Sequence, residues 1–342
     1  MRFPVLSPRA LSTAAVAAIS TLLAGCGPKA ADTARDELAQ VRFQTDWYAQ
    51  AEHGGHYQAL ARGFYREAGL DVDIIVGGPG ATVPQKMLAG QVEIGMGRSD
   101  DIIVNVSNGL PVLIVAALMQ HDPQGILLHA KNPIRSFEEL DGATIMAVPG
   151  ANWIAYLRAH YGIDFKLIPL NYSLVQFLTD KSFIQQCFIT NEPFFVEQHG
   201  AHPKTLLIAS SGYDPYRVIF TTRKFARENP EAVRAFVAAS IRGWTDFMSG
   251  DPTPGKALIA GRNDKMSTTF MDYSITSMAK HRLIDGDPAR GERTGLLTRQ
   301  RLQEQVDLLV RLGIIPEALP LEKFATFEFL PAELQPLVEQ GQ

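Results

Sequence analysis

The sequence predicts an α/β protein of two lobes, each a mainly parallel sheet flanked by helices, with two crossings of the chain between them. Three observations carry this. From Val41 onward, short β-branched runs alternate with stretches of helical periodicity, joined by connections of a few residues, the pattern of α/β units around parallel strands. Turn-rich segments fall at His121-Asp122-Pro123-Gln124-Gly125 and at Ser210-Ser211-Gly212-Tyr213-Asp214-Pro215, so a middle unit is inserted into a first one that resumes after it. The 342 residues, 46 % of them hydrophobic, suffice for two ordinary cores at about 150 residues per domain.

The elements follow in order. Val41 to Thr45 reads as the first strand, and Tyr57, Leu60, Ala61, Phe64 and Tyr65 then recur at helical spacing up to Gly69, a residue suited to the left-handed C-terminal cap. Asp71 to Val76 is the second strand. After Gly77-Gly78-Pro79-Gly80, Thr82 and Gln85 form a capping box for a helix that stops at Gly90. Glu93 to Met96 is a short strand, Ser99 the N-cap of a helix to Asn108, and Val112 to Leu118 a further strand. In the middle unit, Ile126 to His129 is a strand, Ser136 with Glu139 a second capping box, and Thr144 to Val148 a strand ending at Pro149-Gly150. A helix with Trp153, Tyr156 and Leu157 follows, then strand Lys166 to Leu170, a helix from Ser173, strand Ile184 to Ile189, a helix through Phe195 and strand Thr205 to Ala209. The return begins with strand Arg217 to Thr221; Asn229 caps Pro230 at the first helical position, and amphipathic helices near 231 to 249, 267 to 282 and 298 to 312 pack on the first unit. Lobe I is thus expected over residues 41–122 and 216–342, and lobe II over 123–215.

The N-terminus reads as an export signal. Arg2 and Arg9 precede an apolar stretch from Ala10 to Ala24, and Leu23-Ala24-Gly25-Cys26 follows. Fifteen residues with polar interruptions fall short of the roughly 20 that span a bilayer. The small residues before Cys26 resemble the bacterial lipoprotein signal, which implies a signal peptide over 1–25, a lipid on Cys26 and a tether over 26–40. Nothing later in the chain is long and apolar enough to span. The body is therefore expected at the extracytoplasmic face of a bacterial membrane.

Composition and motifs exclude several classes. Lys and Arg number 32 against 36 Asp and Glu, a net charge of −4, so no basic field is present to hold nucleic acid. Two cysteines, Cys26 and Cys187, are too few for a disulfide framework or a cysteine zinc site. The chain has no glycine-serine-glycine nucleophile elbow, no phosphate loop and no paired zinc histidines beside a glutamate. His53 and His56 are separated by Gly54-Gly55, which argues against a helical metal pair. Gly77-Gly78-Pro79-Gly80 lacks the third glycine of the dinucleotide fingerprint, although backbone N–H groups there suit polar ligand atoms. No catalytic residue, cofactor or metal is expected. Cys187, at the end of an apolar run, reads as a small buried hydrophobe. Asp100 and Asp101 sit at a helix start, where carboxylates favour the dipole. Glu192, between Asn191 and Pro193, lies at a strand's carboxyl end, where open α/β sheets bind ligands. Trp47 and Trp153 both follow strands, one in each unit.

Asp46-Trp47, His53, Gly55 and Tyr57, Gly63-Phe64-Tyr65, Gly69-Leu70-Asp71-Val72, and Gly95 after Val92-Glu93 together resemble the periplasmic substrate-binding proteins of ABC importers. The family includes receptors for nitrate, sulfonates, taurine and thiamine-pyrimidine precursors. The likeness is densest over 43 to 120 and continues through Leu140-Asp141-Gly142, Gly150, Asn191-Glu192-Pro193 and Asn229-Pro230-Glu231. It is closest to the pyrimidine-precursor branch, although the Pro-Asn pair common after that branch's tryptophan is Ala49-Gln50 here. The resemblance implies the two-lobed periplasmic-binding-protein fold, and ligand contacts at Asp46, Trp47 and Glu192. A fungal enzyme of the same superfamily makes the thiamine pyrimidine from its own histidine and pyridoxal phosphate. Its Schiff-base lysine falls on Gly97 and its histidine on Asp101, and its cysteine-rich segment falls near Tyr213 to Phe220, which holds no cysteine. Binding without catalysis is therefore implied.

A receptor of this plan closes about its hinge on a solute and delivers it to a permease and ATPase. Trp47 and Trp153 are expected to sandwich a flat ligand, with Asp46, Ser99, Asp100 and Glu192 at its rim. His53, Gly78, Asn152 and Tyr216 complete the candidate set. Of the residues singled out at strand ends only Arg98 is cationic, against Glu52, Asp100, Asp101 and Glu192, which favours a neutral or amine-bearing heterocycle. The alternatives are a sulfonate or nitrate receptor, or an enzyme or sensor reusing the fold. A monomer is expected.

Overall fold

A computed structural model describes residues 38–335. The signal peptide over 1–25, the lipid site at Cys26 and most of the tether lie outside the described residues.

The first sheet contains β1 (Ala39–Gln44), β2 (Leu70–Ile75), β3 (Ile94–Arg98) and β4 (Val112–Met119). The second contains β5 (Gln124–His129), β6 (Thr144–Ala147), β7 (Lys166–Pro169), β8 (Ile184–Phe188) and β9 (Pro203–Leu207). The chain then returns, and β10 (Arg217–Thr222) enters the first sheet. The orders are β2-β1-β3-β10-β4 and β7-β6-β8-β5-β9.

Both sheets are mixed, which qualifies the expected mainly parallel arrangement. β10 runs antiparallel to β3 and β4, and β5 antiparallel to β8 and β9. In each sheet the reversed strand is the one the chain enters directly from a crossing. A strand joined to the other lobe without an intervening helix is free of the right-handed crossover that makes neighbours parallel. β4 is buried at every residue, as its unbroken apolar run requires.

Helices α1 (Gly54–Ala61), α2 (Phe64–Glu67), α3 (Val83–Leu88) and α4 (Ser99–Ser107) connect the first strands. α5 (Asn152–Tyr161), α6 (Val175–Thr179) and α7 (Glu192–Gln198) serve the second sheet. α8 (Arg223–Glu228), α9 (Pro230–Ser249), α10 (Thr253–Arg262), α11 (Thr268–Lys280) and α12 (Arg299–Arg311) follow β10.

Several local expectations differ in detail. The helix expected through Tyr57 and Tyr65 is two helices, parted where Gly63 takes φ 77°. Thr82 has φ 42° and no capping hydrogen bond; a side-chain cap needs extended backbone, so that capping box does not form. Glu139 accepts from Arg135 N at 2.5 Å and supports only a short 3-10 turn, Glu138–Leu140. Ser99 is the first helical residue rather than the cap, since Arg98 holds the extended N-cap conformation. The Asn229 side chain makes no cap bond and donates instead to Phe225 O at 3.5 Å. α10 forms although Pro252, Pro254 and Gly255 at its start are turn residues, because proline is tolerated in the first turn of a helix.

One apolar core lies under the first sheet, and two smaller clusters flank the second. α1 packs closely on α9, where a Cβ on Gly243 would sit 2.2 Å from Gly55 O and one on Gly55 2.2 Å from Trp244 Cγ. Backbone cannot yield as a flexible side chain can. Gly243→Ala is expected to lower stability by about 1–3 kcal/mol through overpacking. An unchanged urea midpoint would refute it.

The lobes are tied at more than the two crossings. His121 Nδ1 meets Asp214 Oδ2 at 2.5 Å, joining one crossing to the other, and its Nε2 meets Glu292 at 3.0 Å. Ser277 Oγ donates to Ile189 O at 3.1 Å and Ser274 Oγ to Thr190 O at 2.8 Å. Phe194 and Phe195 pack on Phe270 at 5.0 and 4.7 Å between ring centroids. The end of β8 and the helix after it therefore rest on α11, beside the first lobe.

Candidate functional site

Both sheets turn the carboxyl ends of their parallel strands toward one cleft. The chain after β1 supplies Trp47 and Gln50, the end of β3 supplies Arg98 and then Asp101, and the segment after β6 supplies Val148 to Ala151. The segment after β7 supplies Leu170 and Tyr172, and β8 with the turn after it supplies Gln186, Cys187, Phe188, Asn191 and Glu192. Gln124 joins them from the start of reversed β5. The enclosed volume is about 320 Å³, at the small end of ligand sites.

Trp47, half-buried, faces Tyr172 across the cleft with ring centroids 5.1 Å apart and planes inclined by 41°. Tyr172 has φ 58°, a left-handed conformation that is uncommon for a side-chain-bearing residue and recurs at functional sites. The loop carrying Trp47 is braced from behind. Asp46 is hydrogen-bonded to Arg217 and lies 3.3 Å from His53 Nε2. Burial alone would raise the Asp46 carboxyl, but the Arg217 guanidinium and His53 hold it at about 2. His53, 1 % exposed, is thus a support for the tryptophan loop rather than part of the cleft lining.

Glu192 accepts a hydrogen bond from Phe188 N at 2.8 Å, and burial pushes its carboxyl up to about 7 against that bond. Asp101 opens into the cleft with 55 % of its side chain accessible. Desolvation by the surrounding wall and the adjacent Asp100 carboxylate push it up to about 7, against the pull of Arg98 and Arg217. Arg98 donates to Asp100 through Nε at 3.1 Å and Nη2 at 2.6 Å, and through Nη1 to Gln124 Oε1 at 2.7 Å. Burial pushes the Cys187 thiol up, and nearby Glu192 adds to this, so it stays protonated.

Of the expected residues, Trp47 and Glu192 line the cleft. Trp153 does not: it is fully buried beside Phe165 in the core of the second lobe, so the Trp47–Trp153 sandwich is absent and Tyr172 stands where Trp153 was expected. Asp100, 2 % exposed, is held by Arg98, by Tyr213 Oη and by Asn152 Nδ2 at 3.0 Å. Asp100 and Asn152 form a tie between lobes. Ser99 donates to Gln305 Oε1 at 2.6 Å and accepts from Tyr216 N at 3.0 Å. Tyr216 lies beneath the Arg301 guanidinium, 3.9 Å from its ring centre. Gly78 gives close room to Tyr48, whose ring would be 3.2 Å from an added Cβ. These groups build the frame around the cleft.

Glu192 lies just beyond the carboxyl end of β8, and the same rule applied to every strand points to Phe188 at that end and to Tyr172 after β7. A larger groove of about 680 Å³ lies between α12 and α5. It is not at that strand edge, and its Asp100, Tyr213, Asp214 and Arg301 are engaged with one another or with neighbours.

The profile of the family described as NMT1/THI5 like matches residues 50–253, more than half of the chain. The chain belongs to the NMT1/THI5-like family. The riboflavin-binding protein RibY of Chloroflexus aurantiacus is 26 % identical over 236 residues, covering 64 % of this chain and 65 % of that protein. The 4-amino-5-hydroxymethyl-2-methylpyrimidine phosphate synthase THI5 of Saccharomyces cerevisiae is 25 % identical over 232 residues, 62 % of this chain and 68 % of the enzyme. The periplasmic nitrate-binding protein NrtA from Synechocystis PCC 6803 superposes with a TM-score of 0.66 at 15 % identity, over 88 % of this chain and 92 % of that one. The NMT1/THI5-like chain therefore has the periplasmic-binding-protein fold. Among its described residues no helix is long and apolar enough to cross a membrane.

Proposed function

We propose that this chain is a lipid-anchored, extracytoplasmic receptor that holds a small nitrogen heterocycle, of the thiamine-pyrimidine-precursor class, and delivers it as a monomer to an ABC permease and ATPase. One observation carries the reading: a cleft of about 320 Å³ at the carboxyl edge of both sheets, walled by residues from each. Occupancy of such a cleft favours closure, and closure is what a transporter can sense. Trp47 and Tyr172 offer aromatic surface, while Gln124, Gln186, Asn191 and Glu192 offer orienting polar groups. The riboflavin-binding relative binds a flat heterocycle, and the yeast relative acts in pyrimidine chemistry.

Binding is favoured over turnover by residue chemistry. Among the described residues no lysine lines the cleft, and Gly97, where the resemblance places the fungal lysine, lies against Phe220. An oxyanion is disfavoured because Arg98, the one guanidinium in the wall among the described residues, is engaged with Asp100 and Gln124.

Native mass spectrometry of the full chain, extracted without denaturation, tests the reading through the molecule that co-purifies. An aminopyrimidine or similar heterocycle supports it. A sulfonate would retain the receptor and overturn the heterocycle; conversion of the released molecule on incubation with the chain would establish an enzyme.

A further inference from the structure

We propose that the solute presents a positively charged nitrogen, and that Asp101 is the side chain that pairs with it, assisted by Glu192. This rests on the receptor reading and deepens it by fixing the charge of the ligand.

Positive charge is scarce at the cleft. Among the described residues its wall holds one guanidinium, Arg98, and two carboxyls, Asp101 and Glu192. Arg98 is hydrogen-bonded to Asp100 and Gln124 through all three of its nitrogens and stands 4.0 Å from Asp101. Behind it, Asp122 keeps one carboxyl oxygen, Oδ2, with no hydrogen-bond partner, 3.8 Å from Arg98 Nε and with its side chain 4 % exposed. The second buried guanidinium, Arg217, pairs with Asp46. Six carboxyls therefore lie in or behind the cleft wall, Asp101 and Glu192 lining it and Asp46, Glu52, Asp100 and Asp122 behind, with the guanidinium groups of Arg98 and Arg217 among them.

Carboxyls crowded together with too few cations are costly to ionise, and they either protonate or acquire a cation. Around the two carboxyls that line the cleft, the nearby guanidinium charge is already committed: Arg98 to Asp100 and Arg217 to Asp46. Asp101 faces Arg98 and Asp100 at its own helix start, Asn152 from α5 at 3.2 Å, Arg217 from β10 and Asp122 from the first crossing. Around Glu192 are Phe188 N, Cys187 on β8 and Glu52. The upward pKa shifts of Asp101 and Glu192 accord with this geometry: each carboxyl holds its proton more tightly in the folded chain than in an unfolded one. A cation arriving between them takes the place of those protons. Trp47 and Tyr172, whose faces attract cations, bound the same volume.

Two consequences follow by linkage. Binding of a cation releases protons near neutral pH, and affinity rises as pH rises through about 7. A sulfonate meets the opposite field and weakens over the same range.

Three aromatic probes of similar size test this with the full chain by calorimetry at about pH 8 and about pH 6: 1-methyl-4-aminopyridinium, its neutral isostere 4-methylaniline, and 4-aminobenzenesulfonate. The pyridinium is expected to bind about tenfold or more tightly than the aniline at the higher pH, with a smaller margin at the lower. Heats in two buffers of different ionisation enthalpy should show net proton release. Asp101→Asn should abolish the margin between pyridinium and aniline while the thermal midpoint stays in place, since asparagine can keep the contact with Asn152. Equal binding of the pyridinium and the aniline, or tightest binding of the sulfonate, overturns the charge inference and leaves the receptor reading standing. If no probe binds, the co-purified molecule decides: a cation supports the inference and a neutral or anionic molecule overturns it. A chain that neither binds a probe nor carries a molecule overturns the receptor reading and this inference with it.

Discussion

Trp47→Ala lowers solute affinity by about 30- to 1,000-fold while the thermal midpoint stays near that of the parent, as expected for an aromatic anchor worth about 2–4 kcal/mol. The indole is half-buried, lines the cleft and meets Tyr172, so its removal takes away contact area and one side of the mouth. Its backbone does separate work: Trp47 O accepts from Thr45 Oγ1 at 2.7 Å and from Gly77 N at 3.2 Å. Asp46 remains bound to Arg217 and near His53, so the loop keeps its course. Trp153→Ala should behave in the opposite sense. Trp153 is fully buried among Phe165, Leu157 and Ile145, and truncation there costs about 3–5 kcal/mol of stability. Paired calorimetric and thermal measurements on the two variants decide the matter; a Trp47 variant that binds normally would remove the indole from the site.

Arg98→Met should be the most destabilising exchange near the cleft. Arg98 is 7 % exposed and is the counter-ion of Asp100, with Asp122 and Asp101 at 3.8 and 4.0 Å. Methionine keeps much of the volume but leaves these carboxyls without their cation, a change that typically costs about 3–5 kcal/mol. Burial would raise the Asp100 carboxyl, but the Arg98 guanidinium holds it below its ordinary value; without Arg98 that restraint goes. A carboxyl whose folded-state pKa exceeds its unfolded value favours the fold below the unfolded pKa and loses that advantage as pH rises through the folded one. The variant should therefore recover stability on acidification, and a second change, Asp100→Asn, should restore part of the loss at neutral pH. Urea midpoints at several pH values test this. A neutral-pH midpoint within about 0.5 kcal/mol of the parent would show that the guanidinium is not needed.

Most elements were legible because their signals are local. The β-branched runs at 71–76, 112–118 and 217–221 and the helix near 231–249 correspond to β2, β4, β10 and α9 within one or two residues. Strand direction was less accessible: β5 and β10 differ from their parallel neighbours by how the chain reaches them, not by composition. The capping boxes at Thr82 and Ser136 failed for a related reason. Spacing supplies the residues of a cap, but the backbone angle at Thr82 decides whether the hydroxyl can perform it.

The sequence by itself determined the α/β alternation, the two turn-rich crossings, the likeness to the receptor family and two residues that line the cleft, Trp47 and Glu192. Each can be read from a run, a spacing or a position at the end of a strand. Only the tertiary structure separated Asp100 from Asp101 and Trp47 from Trp153. Successive residues of a helix differ by about 100° in direction, so Asp100 is buried against Arg98 and Tyr213 while Asp101 opens into the cleft. Trp153 similarly turns into a core formed by Phe165 and Leu157, whereas Tyr172, on a later loop with a left-handed backbone, reaches Trp47. Partners distant in the chain decide such orientations, because a side chain is directed by whatever packs around it once both sheets have formed.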